Sequence, residues 1–429
     1  MGRLKQFRQK IVVGIRSRLL FKHSDFLKLW SAETFSVFGV QFSGLAIPWI
    51  AAITLNVTSF EMGILGALGT VPFLVFGLFV GVWADRSRRR PIMIVSDIVR
   101  ALSLVSIPVS VFLIGPNLMV LYVASFSVGT FTVFDDVSSY AYLPSMVEPE
   151  ELVEANSTME TSRACAQVAG PSLAGILIQV LTAPITIVID AVGYVGSATF
   201  LSRIKKEESQ GKRTQEASVV KDIKDGLAVV FNNRNLWSIA GCTGTSNFFT
   251  SAIGALFLLF VTKEIGLKSP FLLGIIYTLG SVGALLGALL ASRIATRFGV
   301  GRTIVLSIFV GGISWIAVYF ANSSLAVPLL ILATFVGYAG SVIYNVNQVS
   351  FRQAIIPVEL QGRLNATMRF LVWGTIPIGS LVGGVLGGIV GLRTAIGICA
   401  IGATFAFLWV LFSPVRRITK IPGRKSGTP

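Results

Sequence analysis

Runs of about 20 apolar residues, the length that crosses the hydrocarbon of a bilayer, recur from one end of this chain to the other. They lie at 29–55, 60–84, 92–114, 118–142, 155–181 and 184–202, and again at 236–262, 270–293, 303–321, 325–350, 364–390 and 392–413. Lipid offers the backbone no hydrogen-bond partners, so only helices or closed barrels cross it. Barrel strands alternate apolar and polar residues, and Phe73–Trp83 and Ile253–Val261 do not. The expected fold is therefore an all-α membrane protein with twelve transmembrane helices. Only 13% of residues are charged, against roughly 25% in soluble domains.

The formal charge is +16, yet nucleic acid is not the expected partner. The basic residues sit in short clusters between spans: the N-terminal segment, 86–90, 203–234, 293–302, 352–363 and the tail from Arg416 to Lys425. The loops between these hold only Lys263, Lys268 and Arg393. This alternation predicts that both termini are cytoplasmic. The acidic loop 144–154 falls on the same side and runs against the pattern. Cys165, Cys242 and Cys399 are far apart, and His23 is the only histidine. Neither a disulfide, a metal site nor a cofactor is expected. No removable signal peptide is read, and the basic N-terminus is expected to lie on the inner leaflet.

The chain repeats itself. Gly63, Ile64, Leu68, Gly69 and Val71 recur at Gly274, Ile275, Leu279, Gly280 and Val282. Pro149, Glu151 and Leu152 recur at Pro357, Glu359 and Leu360, and Ser172, Leu173 and Gly175 at Ser380, Leu381 and Gly383. Two parallel halves are expected, a pattern that builds secondary transporters with a site where the halves meet. The expected organisation is a basic segment 1–28, a six-helix half 29–202, a cytoplasmic linker 203–235, a second half 236–413 and a basic tail 414–429.

The stretch "GVWADRSRRRP" (81–91) resembles the loop signature Gly-x-x-x-Asp-Arg-x-Gly-x-Arg-Arg of the major facilitator superfamily. Gly81, Asp85, Arg86 and Arg90 match, and Arg88 replaces a glycine. "SDIVRA", "SRACAQVAGPSLAG" and "YNVNQVSFRQAIIP" resemble the branch that holds macrolide-efflux and enterobactin-exporter proteins. The resemblance implies an electrostatic latch. Asp85 faces the positive N-terminus of the eleventh helix near Gly362 and Arg363. Arg89 or Arg90 reaches an acid on the fourth helix, Asp135 or Asp136. The other reading is plain topology signalling by arginines. "AGPSLAG" resembles the antiporter motif of the fifth helix through Gly170, Pro171 and Gly175, which otherwise serve close packing. Ser125 stands where many drug–proton antiporters carry an arginine four residues before the glycine that Gly129 matches.

Charges at membrane depth cost about 2.5–3.5 kcal/mol on insertion scales and are usually paired or functional. Asp97 and Arg100, spaced i,i+3, read as a structural pair, and Glu160 and Arg163 share that spacing. Arg369 is a further intramembrane charge, with no role read for it. Glu33 and Asp190 have no evident local partner. Glu33, then Asp190, then Glu160 with Arg163, are the proton-coupling candidates, the alternatives being an interfacial carboxylate and buried structural bonds. Substrate-cavity candidates are Gln41 and Trp49 on the first helix, Asn247 and Phe248 on the seventh, Tyr344, Asn345 and Gln348 on the tenth, and Trp373 on the eleventh.

The expected function is a monomeric bacterial plasma-membrane exporter of amphipathic small molecules such as antibiotics, driven by proton antiport. Export of a specific metabolite or siderophore is the alternative. A lipid flippase or a non-transporting membrane protein is a third class. No Walker lysine or nucleophile constellation points to ATP drive or an enzyme.

Overall fold

A computed structural model describes residues 22–77, 80, 87–206, 227–322 and 324–420. The described residues are helical, without a strand. In chain order the helices are α1 Ser24–Trp49, α2 Ser59–Val75, α3 Arg89–Val109, α4 Leu118–Tyr142, α5 Leu152–Leu181 and α6 Ala183–Ser202. Then follow α7 Arg234–Leu259, α8 Pro270–Phe298, α9 Val300–Ser314, α10 Ala326–Ile355, α11 and α12 Leu392–Phe405. The expected unbroken eleventh helix is divided at Gly374 into Val358–Trp373 and Thr375–Val390. Pro377 explains the break: its ring cannot donate a helical hydrogen bond and crowds the carbonyl four residues back, that of Trp373.

Eleven helical stretches among the described residues are long and apolar enough to cross a membrane, and α2 is a shorter apolar helix that runs toward residues outside the described set. The chain is a multi-pass membrane protein. Helix starts are fixed by local chemistry. Thr58 and Glu61 form a reciprocal capping box at α2, Asn117 caps α4, Asn233 caps α7, and Ser269 with Pro270 starts α8. Short connections reverse the chain, so helix ends fall on two faces. The face bearing residues near 24, 89, 202, 234, 298 and 355 is termed the terminal face. The other, bearing residues near 56, 182, 266 and 391, is termed the distal face.

On the terminal face, Lys22 and His23 both reach Glu151, with His23 Nε2 2.9 Å from the carboxylate. The hydrogen bond and charge of Glu151 hold Lys22 above the usual lysine range. The acidic loop that ran against the charge pattern thus supplies a counter-ion to the start of α1.

In the first half α1 packs on α5 and α6, and α3 on α4 and α6. In the second, α7 packs on α11 and α12, and α9 on α10 and α12. Between halves, α2 meets α11 and α5 meets α8. Under the sequence repeat α2 corresponds to α8 and α5 to α11, so this is one contact made twice. A Cβ on Gly63 would come within 2.7 Å of the Ser380 carbonyl oxygen, and one on Gly274 within 3.0 Å of Ser172 Cα. Gly63 and Gly274 are repeat partners, as are Ser172 and Ser380. Small residues are what let helix backbones approach this closely in a membrane.

Candidate functional site

The halves are sealed toward the distal face. Ser172 Oγ and Thr278 Oγ1 lie 2.7 Å apart across the α5–α8 seam. Lys263 Nζ donates to the Asn56 carbonyl at 3.2 Å and the Val57 carbonyl at 2.7 Å, and Ser269 Oγ donates to Gln179 Oε1 at 3.3 Å. On the terminal side of these bonds lie two stacked cavities.

The cavity on the terminal side has a volume of about 520 Å³. Asp136 and Tyr140 line it from α4, and Thr243, Ser246 and Asn247 from α7. Tyr344, Asn345, Gln348 and Arg352 line it from α10, and Asn365, Arg369 and Trp373 from α11. Tyr344 Oη lies 2.7 Å from Thr243 Oγ1, Gln348 Nε2 donates to Asn345 Oδ1 at 2.8 Å, and Asn247 Nδ2 donates to the Val372 carbonyl at 2.8 Å. Those bonds hold the side chains in place. Gln348 Oε1 and Arg352 Nε are buried and have no hydrogen-bond partner among the described residues. Buried polar atoms without partners are costly, so both are available to a guest.

Deeper toward the distal face lies a second cavity of about 550 Å³. Its walls are Ile47, Leu65, Val128, Ala255 and Leu258 with small hydroxyls from Ser43, Thr70, Ser125, Thr132 and Ser251. Among the described residues no charged side chain lines it. Phe73 lines this chamber and Trp373 the polar one, and their ring centroids stand 5.6 Å apart. The Arg369 guanidinium covers the Trp373 ring at 4.3 Å.

Of the cavity candidates named from the sequence, Asn247, Tyr344, Asn345, Gln348 and Trp373 line this one cavity. The other three do not. Trp49 is buried in the hydrophobic core toward the distal face. Phe248 packs its ring on Phe249 and its carbonyl against Gly379. Gln41 is wedged against Gly170, where a Cβ would come within 2.5 Å of Gln41 Cγ. Sequence reasoning missed Asn365, Arg352 and a role for Arg369. The i,i+4 spacing of Asn365, Arg369 and Trp373 on one helix face was the available signal.

The remaining charges form a network inside the first half. Arg100 donates to Asp97 at 2.6 Å and pairs with Asp135 at 2.8 Å, with Ser36 Oγ at 3.4 Å and the Tyr194 ring 4.3 Å away. The expected Asp97–Arg100 pair is therefore a four-helix knot. It takes up Asp135, one of the acids expected to receive Arg89 or Arg90. Arg90 instead donates to the carbonyls of Leu201, at 2.9 Å, and Ser202 at the end of α6. Gly81, Asp85 and Arg86 lie outside the described residues, as does the side chain of Arg363, and Gly362 is described only as helical backbone.

Glu33, expected to lack a partner, has one. Arg163 approaches it to 3.7 Å from α5 and also reaches Glu160 at 3.5 Å, while bonding the Tyr140 hydroxyl. The pairing joins helices far apart in sequence, so local spacing could not reveal it. Asp190 is buried against Gly39, where a side chain would collide with it, and neither carboxylate oxygen has a hydrogen bond of normal geometry among the described residues. Pro171 and Gly175 of the antiporter-like element press on Gly274 and Pro270 of α8, so the element lies on the seam between halves.

The chain resembles known transporters along most of its length. It is 26% identical over 362 residues to the multidrug efflux pump Tap of Mycolicibacterium fortuitum, covering 81% of this chain and 86% of that one. It is 23% identical over 370 residues to macrolide efflux protein A of Streptococcus pyogenes, covering 86% and 90%. It is 23% identical over 386 residues to a staphyloferrin A transporter of Staphylococcus aureus, covering 84% and 92%. Among solved structures, a single-residue mutant of the nucleoside transporter NupG superposes with a TM-score of 0.72 at 12% identity, covering 90% of this chain and 99% of that one. The family model of the Major Facilitator Superfamily matches residues 29–269 and 239–428. With two six-helix halves meeting at a doubled seam around paired cavities, the chain is a transporter that belongs to the Major Facilitator Superfamily.

Proposed function

We propose that this transporter is a secondary active exporter that carries amphipathic small molecules out of the cell by alternating access, driven by proton antiport. The carrying observation is the stack of an apolar chamber beneath a polar one, with the halves bonded to each other on the distal side. A guest with an apolar body and a polar end is complementary to both. The efflux role of two relatives supports the direction of transport.

The terminal face is cytoplasmic in this reading, because Arg88 to Arg90, Arg203 to Lys206 and Arg416 to Lys420 gather there. The bonds between the halves on the distal side support an inward-facing conformation in this reading. Coupling runs through the first half: Asp136 borders the polar cavity, next to Asp135 in the buried knot, and Glu33 faces Arg163 across α1 and α5. Protonation of Glu33 would release Arg163 and loosen α5, the helix that forms one seam. The Asp85 loop and Arg363 serve as the latch on the cytoplasmic side when the cavity faces outward.

Two cations in the polar cavity favour a second reading, in which the guest is a specific acidic metabolite or siderophore rather than a neutral or basic drug. Arg352 and Arg369 line the wall against one acid among the described residues, Asp136. Efflux assays in proteoliposomes with an imposed pH gradient test both readings. Neutral, basic and carboxylate-bearing amphiphiles of similar size are offered. Proton-driven efflux of none of them rejects the proposal, and the charge preference selects between the readings.

A further inference from the structure

A third cavity, of about 1080 Å³, opens on the outside of the second half at the terminal face. Its walls come from the end of α8, the start of α9, the terminal end of α10 and the segment after α12. Arg297, Arg302, Arg416, Arg417 and Lys420 surround it, and among the described residues no acidic one does. None of the five has a carboxylate partner among the described residues. Five like charges around one hollow repel each other; Arg297 is eased by the Phe298 ring 5.7 Å away and by the end of its helix, but no carboxylate among the described residues neutralises the group.

The site is held in place. The backbone N–H of Gly301 donates to the Ile418 carbonyl at 2.8 Å, and that of Val300 to the Thr419 carbonyl at 3.3 Å. These bonds cap the first turn of α9 and pin the segment 414–420 against it. Arg416, Arg417 and Lys420 are therefore fixed opposite Arg297 and Arg302. Below the charges the lining turns apolar, through Val305, Leu306 and Val346, and Leu306 and Val346 are exposed to the surroundings of the bundle. In a membrane-spanning helix that exposure faces acyl chains.

We infer that this groove binds the headgroup of an anionic phospholipid, with phosphate held among the arginines and an acyl chain lying along Leu306 and Val346. Arginine forks match phosphate oxygens, and basic pockets between spanning helices at the membrane edge take such headgroups. A phosphate alone would satisfy the charges but leave the apolar wall uncovered. The groove is separate from the transport path. Val346, Asn347 and Ser350 of α10 line it, whereas Asn345, Gln348 and Arg352 of the same helix line the polar cavity. A bound lipid therefore braces the back of a helix whose front meets the guest.

The test uses the full chain in detergent, titrated with phosphatidylglycerol, phosphatidylcholine or soluble glycerol phosphate and read by native mass spectrometry. One tightly retained phosphatidylglycerol is expected, with phosphatidylcholine and glycerol phosphate retained far less. The double variant Arg302→Gln/Arg417→Gln should weaken that retention roughly thirty-fold. Arg302→Lys/Arg417→Lys should keep most of it, which separates lost charge from misfolding. Arg293→Gln, a basic residue of α8 outside the groove, should leave it unchanged. Equal retention of phosphatidylcholine, equal retention of glycerol phosphate, or an equal loss in Arg293→Gln would each overturn the assignment.

Discussion

The Phe73 and Trp373 rings stand 5.6 Å apart, one from each half of the molecule, at the boundary between the apolar chamber and the polar one. In the proposed transport path a guest moving between the chambers meets this pair. An aromatic pair contributes about 0.5–1.5 kcal/mol beyond its buried area. Trp373→Ala is expected to weaken binding of aromatic guests roughly three- to tenfold while leaving small aliphatic guests little changed. Fluorescence or calorimetric titration of purified protein measures this, and equal losses for both classes would contradict it.

Arg352 and Arg369 give the polar chamber its positive bias. Charge-assisted hydrogen bonds are about twice as strong as neutral ones. Arg369→Gln is expected to cut affinity for a carboxylate-bearing guest by about tenfold and to spare its methyl ester. Paired titrations of acid and ester read the difference directly. An equal effect on both would assign Arg369 to packing on Trp373 alone.

Arg100 serves two carboxylates, one from its own helix α3 and one from α4, with almost no exposure. Removing one partner of a buried ion pair costs about 3–5 kcal/mol, because the remaining charge is stranded. Arg100→Met should therefore lower the thermal stability of the detergent-solubilised protein sharply. The triple change Asp97→Asn/Arg100→Met/Asp135→Asn should recover part of it. Wild-type stability in Arg100→Met would show that the knot carries little of the fold.

Glu33→Gln removes a carboxylate from the Arg163 contact without removing bulk. The proposed coupling predicts unchanged guest binding, intact exchange down a concentration gradient and loss of pH-driven accumulation. Proteoliposomes assayed with and without an imposed gradient separate these. Uphill transport by Glu33→Gln would move the coupling role elsewhere, Asp190 being the next acid to replace.

The latch proposal predicts that Asp85→Asn reduces turnover at normal membrane insertion. Arg90→Ala should do so too, and should also lower stability by about 1–3 kcal/mol, since Arg90 ties α3 to the last carbonyls of α6. Expression level, melting temperature and transport rate measured together distinguish the two effects. Full transport by both variants at equal expression would leave those residues a purely topological role.

Spans, halves and much of the polar cavity were legible because each leaves a local mark. Apolar length marks a span, and amides at helical spacing mark the wetted face of α10. The repeat was readable at Gly63 and Gly274, and at Ser172 and Ser380, because these residues meet across the seam and size is constrained there twice. What was hidden depends on which helices are neighbours. Arg163 reaches Glu33 and Arg100 reaches Asp135 through packing of α1 on α5 and of α3 on α4, which no spacing along one helix encodes. Trp49 misled for the opposite reason. It sits on a cavity-forming helix, but at a level where the two halves have already closed.

The bare backbone at the seam has a consequence for how this molecule can be held still. A methyl group on Gly274 would stand within 2.5 Å of the Pro171 carbonyl, and one on Gly384 within 2.7 Å of the Ser59 carbonyl. Such a methyl acts as a wedge. It penalises the conformation sealed on the distal side and leaves a conformation with these helices parted untouched. Alanine at either position thus becomes a tool that tilts the population one way, and pairing it with a binder selected against the tilted form offers a route to trapping the opposite state of the cycle.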